Sequence, residues 1–267
     1  MSKIICSNLH IRSQKMSIKN LDNMILSYLA ENNSASPDAL AEAFDVSPST
    51  IRRRFCELQD KGLIQRARGC AKLRQDNNFT QSFTFRKHQN SLEKKRIALE
   101  AIKLIKNGDV IFLDGSSSAY FIAQYLAQYD NIKVFTNGID TLSLLAQNNV
   151  KAYSTGGMVH KDDKSILVGT FAERLIDSIH ADICFFSAYT VDKDGNVWDV
   201  YEDENSVRNH MIGHSGKSVF LCDNSKIGHT AAFSIGKLDD FDYMVCDVDV
   251  TNKIKTGRCN VIICPSL

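Results

Sequence analysis

Val46-Ser47-Pro48-Ser49-Thr50-Ile51-Arg52-Arg53-Arg54-Phe55-Cys56-Glu57-Leu58 carries the most local information in the chain. Ser47-Pro48 is a helix start signal, a hydroxyl cap followed by a proline in the first turn, and the helix it opens is expected to run to about Asp60. Ile51, Phe55 and Leu58 recur at i, i+4 and i+7 and form its inner stripe. At about 100° per residue, Ser49, Arg52, Arg53 and Cys56 fall on the opposite side, with Thr50 and Arg54 flanking. That side is cationic and rich in hydroxyls. Arginine bonds guanine edges or clamps phosphates, and hydroxyls serve either purpose.

The flanks fit the same picture. Leu21, Ile25, Tyr28 and Leu29 have helical spacing and predict a first helix from about Ile18 to Glu31. Ser36-Pro37-Asp38 starts a short second helix with Leu40, Ala43 and Phe44 inward, and Asp45-Val46 makes the tight turn before Ser47. After the third helix, Lys61-Gly62 is a stop signal, and Leu63 to Ala67 followed by Arg68-Gly69 reads as a hairpin with a basic tip. Two helices joined by a tight turn, the second displaying Arg and Ser/Thr, suit a major groove, and Arg66 and Arg68 suit a wing over the backbone.

Charge is distributed accordingly. The 267 residues hold 32 Lys/Arg against 31 Asp/Glu and are 43% hydrophobic, which excludes disordered and fibrous classes. Residues 1–75 carry 12 basic and 7 acidic side chains, whereas the remainder carries 20 and 24, so a basic patch sits on a nearly neutral protein. No stretch approaches a membrane span, and no apolar signal core opens the chain. The eight cysteines form no C-x-x-C pair and have mostly apolar neighbours, as expected for reduced thiols of a cytoplasmic protein.

Residues 75–90 read as a polar linker, with a strand expected in its second half because Phe79, Phe83 and Phe85 are interspersed among polar residues. Beyond Ser91 a helix with Ile97, Ala101, Ile102 and Ile105 inward leads to Val110-Ile111-Phe112-Leu113, and short apolar strands then alternate with helices. The repeats are Val134-Phe135, Ala152-Tyr153-Ser154, Ile183 to Phe186 and Val219 to Cys222. This order predicts an α/β domain over 91–267 with a mainly parallel sheet, whose ligand binds beyond the carboxyl ends of the strands. The ends are informative. Asp114-Gly115-Ser116-Ser117-Ser118 opens a helix with backbone N–H groups and hydroxyls suited to a phosphate, although the Gly-Lys-Ser/Thr ending of a P-loop is missing. Thr136-Asn137-Gly138 and Thr155-Gly156-Gly157 offer small polar groups for sugar hydroxyls, and Asp223-Asn224-Ser225-Lys226 adds a cation.

The motif Val46 to Arg53, with Glu57-Leu58 and Gly62-Leu63 through Gly69, resembles the winged helix of bacterial DeoR-type transcriptional regulators. The strand-end motifs, in this order, resemble the effector domain of the same regulators, whose fold is like that of ribose-5-phosphate isomerase; the resemblance spans about residues 18–248. It implies a winged helix-turn-helix domain over 18–74, after an N-terminal extension of residues 1–17, and a larger α/β effector domain. It also implies double-stranded operator DNA as partner, bound through Ser47, Ser49, Thr50, Arg52, Arg53, Arg54, Arg66 and Arg68. A phosphorylated sugar is implied at Asp114, Gly115, Ser116, Ser117, Ser118, Thr136, Asn137, Gly156, Gly157, Glu204, Asp223 and Lys226, with no cofactor, and a homo-oligomer is expected. Three positions depart from the family pattern. Arg54 replaces an acid, Gly69-Cys70 replaces Gly-Gly, and Ser187-Ala188-Tyr189-Thr190 replaces Gly-Ala-Asp-Gly. Asn196-Val197-Trp198-Asp199, with the serine loop, leans toward the fucose-operon branch.

Rival readings are weaker. A sugar-phosphate isomerase would draw on Asp192, Glu202, Asp203, Glu204 and Lys226, but its characteristic acid is replaced by Tyr189 and a winged helix would have no purpose there. An interaction module without nucleic acid would leave the arginine face of the third helix incidental. His210 and His214 stand at i,i+4, yet H-E-x-x-H is not met and the sequence offers no third ligand, so no metal site is expected.

Overall fold

Apolar residues at helical spacing build the first unit. In the computed structural model, which describes residues 18–32, 34–60, 63–67, 69–73 and 83–265, the chain divides into residues 1–75 and 76–267. Helices α1 (Ile18–Asn32), α2 (Pro37–Phe44) and α3 (Pro48–Asp60) precede the hairpin β1 (Ile64–Ala67) and β2 (Cys70–Leu73). Leu21, Ile25, Leu26 and Leu29 of α1 meet Leu40, Ile51, Phe55, Leu58, Ile64 and Ala71 in one core. The start signals work as read. Ala39 N–H donates to Ser36 Oγ at 3.1 Å, and Thr50 N–H donates to Ser47 Oγ at 3.2 Å. In the hairpin Ala67 faces Cys70, and Gly69 takes φ +83°, a turn conformation that a side chain would strain. Ala35 and Ala71 exchange backbone hydrogen bonds of 2.9 and 2.8 Å, which anchors the wing to the segment before α2. The expected stop at Lys61-Gly62 and the tip residue Arg68 lie outside the described residues.

Arg54 departs from the expectation of a flanking DNA contact. It lies next to the Ile51–Phe55–Leu58 stripe and is 2% exposed; its Nε sits 3.1 Å from Asp22 Oδ1 on α1, and its terminal nitrogen meets Glu57. A lone buried guanidinium is costly, so the pairing with Asp22 compensates it and ties α3 to α1.

The second unit opens with α4 (Phe83–His88), where the sequence suggested a strand, and continues into α5 (Ser91–Ala101). Tertiary packing explains the difference. Phe83 stands edge-on to Tyr120 with centroids 5.5 Å apart, Phe85 and His88 are buried, and Lys94 caps the helix through the Arg86 and Gln89 carbonyls. Next come β3 (Val110–Leu113), α6 (Ser117–Ala123), β4 (Lys133–Thr136), α7 (Ile139–Gln147) and β5 (Ala152–Ser154). The hairpin β6 (Met158–Val159) and β7 (Leu167–Val168) leads through α8 (Thr170–Asp177), β8 (Ile183–Phe186), β9 (Thr190–Val191) and β10 (Asn196–Asp199) to α9 (Glu202–Gly213). The chain closes with β11 (Ser218–Cys222), β12 (Phe233–Lys237), β13 (Tyr243–Cys246) and β14 (Asn260–Ile263).

Seven strands form one parallel sheet in the order β14-β13-β11-β8-β3-β4-β5, and β12-β10-β9 form a small antiparallel sheet. Alternation decides which layer each side chain joins. Ile111, Leu113, Ile183, Phe185, Val219 and Leu221 pack under α5 and α6. Phe112, Cys184, Phe186, Phe220 and Cys222 point the other way, onto α8, α9 and the small sheet. Because β3 continues toward β4 on one side and borders β8 on the other, the order reverses at β3/β8, where open α/β sheets place ligands.

The Arg54 pairing yields a test. Arg54→Ala removes the buried guanidinium that joins α3 to Asp22 of α1 and is expected to cost about 3 kcal/mol of stability, whereas the exposed Arg52→Ala stays within about 1 kcal/mol; denaturant unfolding of the two variants measures both.

Candidate functional site

On α3 the outward face is as read: Ser49, Arg52, Arg53 and Cys56 are exposed, and Arg66 on β1 extends the cationic surface. Ser47 is the helix cap, and its hydroxyl lies 2.8 Å from those of Ser49 and Thr50, which groups the three at the start of the helix. Arg52 reaches back 3.1 Å to Asp38, but with side chains 56% and 71% exposed this pair is screened and readily exchanged for a phosphate. Arg66 donates to Cys56 Sγ at 3.1 Å, which holds the wing arginine beside the helix face.

In the second unit a cavity of about 410 Å³ opens at the β3/β8 crevice, a size suited to a small ligand. Ser116, Ser117 and Ser118 line it from the start of α6, Ser187 to Thr190 from the end of β8, and Asp223, Ser225 and Lys226 from the end of β11. Arg86, Asn90 and Lys94 form another wall, and Asp199, Tyr201, Glu204 and Arg208 a further one.

Arg208 organises the acidic wall. Its Nε lies 3.1 Å from Asp114 Oδ2, one terminal nitrogen lies 3.0 Å from Asp199, and the other is 3.9 Å from Glu204. Burial opposes its charge, but Asp199, Asp114 and Glu204 outweigh burial and hold the guanidinium above its ordinary pKa. The Glu204–Arg208 pair is therefore interior, not the simple surface bridge that i,i+4 spacing alone suggests. Burial, reinforced by Asp199, pushes Glu204 up to about 8, so at neutral pH its carboxyl is mainly protonated and able to donate a hydrogen bond.

The cationic wall shows the converse. Burial lowers Lys94 to about 7; Asp223 opposes that shift, while Lys226 and Arg86 add to it. Burial would raise Asp223, but Lys226, Lys94 and hydrogen bonds from Ser225 and Asn90 hold it low. Lys226 donates to the Ala188 carbonyl, which draws the ends of β8 and β11 together. Arg86 pairs with Asp163, and Asn90 Nδ2 donates to Asp223 Oδ1 at 2.9 Å.

Six expected effector residues lie off this cavity. Asp114 sits beneath it, accepting from Ser116 N–H and Ser187 N–H at 3.1 Å each. Gly115 packs against Ile166, Thr136 Oγ1 accepts from Gly138 N–H at 3.0 Å, and Asn137 Nδ2 donates to the Leu167 carbonyl at 3.0 Å. Gly157, at φ +105°, would bring a Cβ within 2.6 Å of the Val168 carbonyl and so serves close chain packing, whereas Gly156 has open space beside it and is set by its φ of +67°. Ser116, Ser117, Ser118, Glu204, Asp223 and Lys226 do converge on the cavity.

The DeoR-like helix-turn-helix domain matches residues 22–77, and the DeoR C terminal sensor domain matches residues 89–248. The HTH-type transcriptional regulator GolR of Listeria innocua is 33% identical over 84% of this chain and 89% of its own. The chain belongs to the DeoR family. The L-fucose operon activator of Haemophilus influenzae is 31% identical over 88% of this chain and 94% of its own, and that organism's glycerol-3-phosphate regulon repressor is 28% identical over 90% and 94%. A solved D-ribose-5-phosphate isomerase is 18% identical, covering 50% of this chain and 52% of its own at TM-score 0.39.

Regulators of the DeoR family bind DNA through the helix-turn-helix and sense a sugar or sugar phosphate through the C-terminal domain, so this is a regulatory protein and not an active enzyme. Among its described residues no helix is long and apolar enough to cross a membrane, and the described cysteines are free thiols. Sequence reasoning missed Arg86 and Asn90 because their segment read as linker and strand, where the run Arg86-Lys87-His88 was the available signal, and it missed Lys94 because that residue read as an ordinary position of the helix from Ser91.

Glu204 in this DeoR-family pocket gives a pH test. Its folded pKa is raised, so folding retains a proton that the unfolded chain releases above about 4.5, and this contribution is lost as pH rises toward about 8. Glu204→Gln is expected to match the parent near pH 4 and to gain stability relative to it up to pH 8. Paired thermal melts across that window check the trend, and a flat difference contradicts the buried neutral acid.

Proposed function

We propose that this DeoR-family protein is a cytoplasmic transcriptional repressor of a carbohydrate-utilisation operon, controlled by a phosphorylated sugar in the cavity of the α/β unit. One observation carries the reading: a single cavity joins three serines and two lysines, suited to a phosphate, to an array of Asp199, protonated Glu204 and Arg208, suited to hydroxyls. A deoxysugar or ketose phosphate is the first class to screen, because the Asn196 to Asp199 segment leans toward the fucose-operon branch; fucose-operon and glycerol-phosphate relatives are nevertheless of similar identity.

In this reading two or more copies place their α3 helices in successive major grooves of a pseudo-palindromic operator, with Ser49, Thr50, Arg52 and Arg53 toward the bases or phosphates and Arg66 and Arg68 on the wing. The effector acts by favouring one arrangement of the assembly over the other. Its route to the DNA-binding unit is α4, the first described element after the wing, whose Arg86 lines the cavity and pairs with Asp163. An anion there competes with Asp163 for Arg86. The linker of residues 75–90 is thus partly effector-site wall.

Thermal melts with a panel of phosphorylated sugars, run beside an isomerase assay, test the ligand. Stabilisation without turnover supports a sensor, and turnover refutes it. Arg52→Ala with Arg53→Ala is expected to weaken operator binding by about a hundredfold or more while sugar-phosphate stabilisation persists. Ser117→Ala with Lys226→Ala is expected to do the reverse; equal loss of both activities in either variant contradicts the division of labour. Arg86→Gln is expected to retain operator binding, to weaken effector binding in part, and at saturating sugar phosphate to shrink the effector's influence on operator affinity, as measured by fluorescence anisotropy with and without the sugar phosphate.

A further inference from the structure

Helices α8 and α9 run side by side in the same direction. Ser206 Oγ donates to Glu173 Oε1 at 2.6 Å, and one turn further along His210 Nδ1 lies 2.5 Å from Asp177 Oδ1. Both helices end here, α8 at Asp177 and α9 at Gly213 with His214 as its cap. His214 Nδ1 is 3.6 Å from the same Asp177 oxygen and 2.9 Å from the His210 carbonyl. The third partner that the i,i+4 histidine pair lacks in the sequence is thus supplied from another helix.

We infer that Asp177, His210 and His214 form a binding site for a divalent transition-metal ion of the zinc and nickel class. One ligand atom from each residue lies within 4.8 Å of the others. Ligand atoms around a tetrahedral ion with bonds of about 2.0–2.1 Å stand roughly 3.3 Å apart, so modest side-chain rotations complete the arrangement. Two imidazoles and one carboxylate select zinc, nickel or copper over calcium and magnesium, which take oxygen ligands. The carboxylate supplies negative charge, and two converging helix C-termini add the negative ends of their dipoles. With side chains 35%, 39% and 42% exposed, the three residues are open to an ion from solvent, and the remaining coordination positions are open to water.

The site is separate from the effector cavity, since none of the three residues lines it. It sits on the same helix, however. An ion there staples the end of α9 to α8, and α9 carries Glu204 and Arg208 into the cavity. The binding chemistry has no counterpart in the expected sugar-phosphate site, so it stands or falls independently of the effector.

Metal-stripped full-length protein titrated with zinc chloride alone tests the inference by calorimetry and thermal denaturation. Expected are one ion per chain in the cluster and a rise in melting temperature of about 5 °C at a hundredfold excess over Kd. His210→Ala and His214→Ala are each expected to weaken binding more than about tenfold, a loss that even supporting residues can cause. His180→Ala, an exposed histidine outside the cluster, leaves binding unchanged, and calcium chloride gives no shift. Asp177→Asn keeps the side-chain shape and supplies the answer if a histidine variant does not fold. Absence of saturable binding in the parent, or its retention in the double histidine variant, overturns the site.

Discussion

A buried guanidinium needs compensating charge, and in this protein that requirement shapes the α/β unit around Arg208. The side chain is 7% exposed, and its charged partners come from three places: Asp114 after β3, Asp199 at the end of β10, and Glu204 one turn earlier on α9. Taking such a charge out of water is costly, so the partners are held in place as firmly as the arginine itself. Asp114 passes the constraint on. The carboxylate that meets Arg208 also receives the backbone N–H groups of Ser116 and Ser187, which sets the serine loop and the β8 turn at the sheet's reversal point. The cavity is the space this network leaves between strand ends.

The opposite wall gathers cations, Arg86, Lys94 and Lys226, around Asp223. Lys94 is buried and, at about 7, can carry or lose its proton near neutrality. Its hydrogen bonds close the end of α4, so its protonation bears on the helix that follows the wing. An anion in the cavity favours the charged form of Lys94 and so favours the cap. Each wall thus holds a group that titrates near neutrality, Lys94 on this one and Glu204 on the other.

Helix α3 separates two uses of arginine. Arg52 and Arg53 look outward, whereas Arg54 turns inward to Asp22. The departure from the family's acid at this position is thus a change in how α3 is fastened to α1, and not an added contact to DNA.

Local chemistry was enough to read much of this chain. Ser36-Pro37 and Ser47-Pro48 start helices because a hydroxyl cap and a fixed proline φ act within a few residues, and Ile51, Phe55 and Leu58 name their buried face by period alone. Five strands of the large sheet, β3, β4, β5, β8 and β11, were legible as short, largely apolar runs ending in small polar residues, whereas β13 and β14 were not read, and Ser116 to Ser118 and Asp223 to Lys226 were found because ligands gather at strand ends. Tertiary structure alone decided the rest. Whether Phe83 and Phe85 belong to a strand or a helix depended on Tyr120 and Lys94, and Arg54 depended on Asp22 from another helix. Asp177 met His210 and His214 only through the packing of α8 on α9. Those assignments rest on partners distant in sequence, and periodicity and capping, which act over one or two turns, carry no information about such pairs.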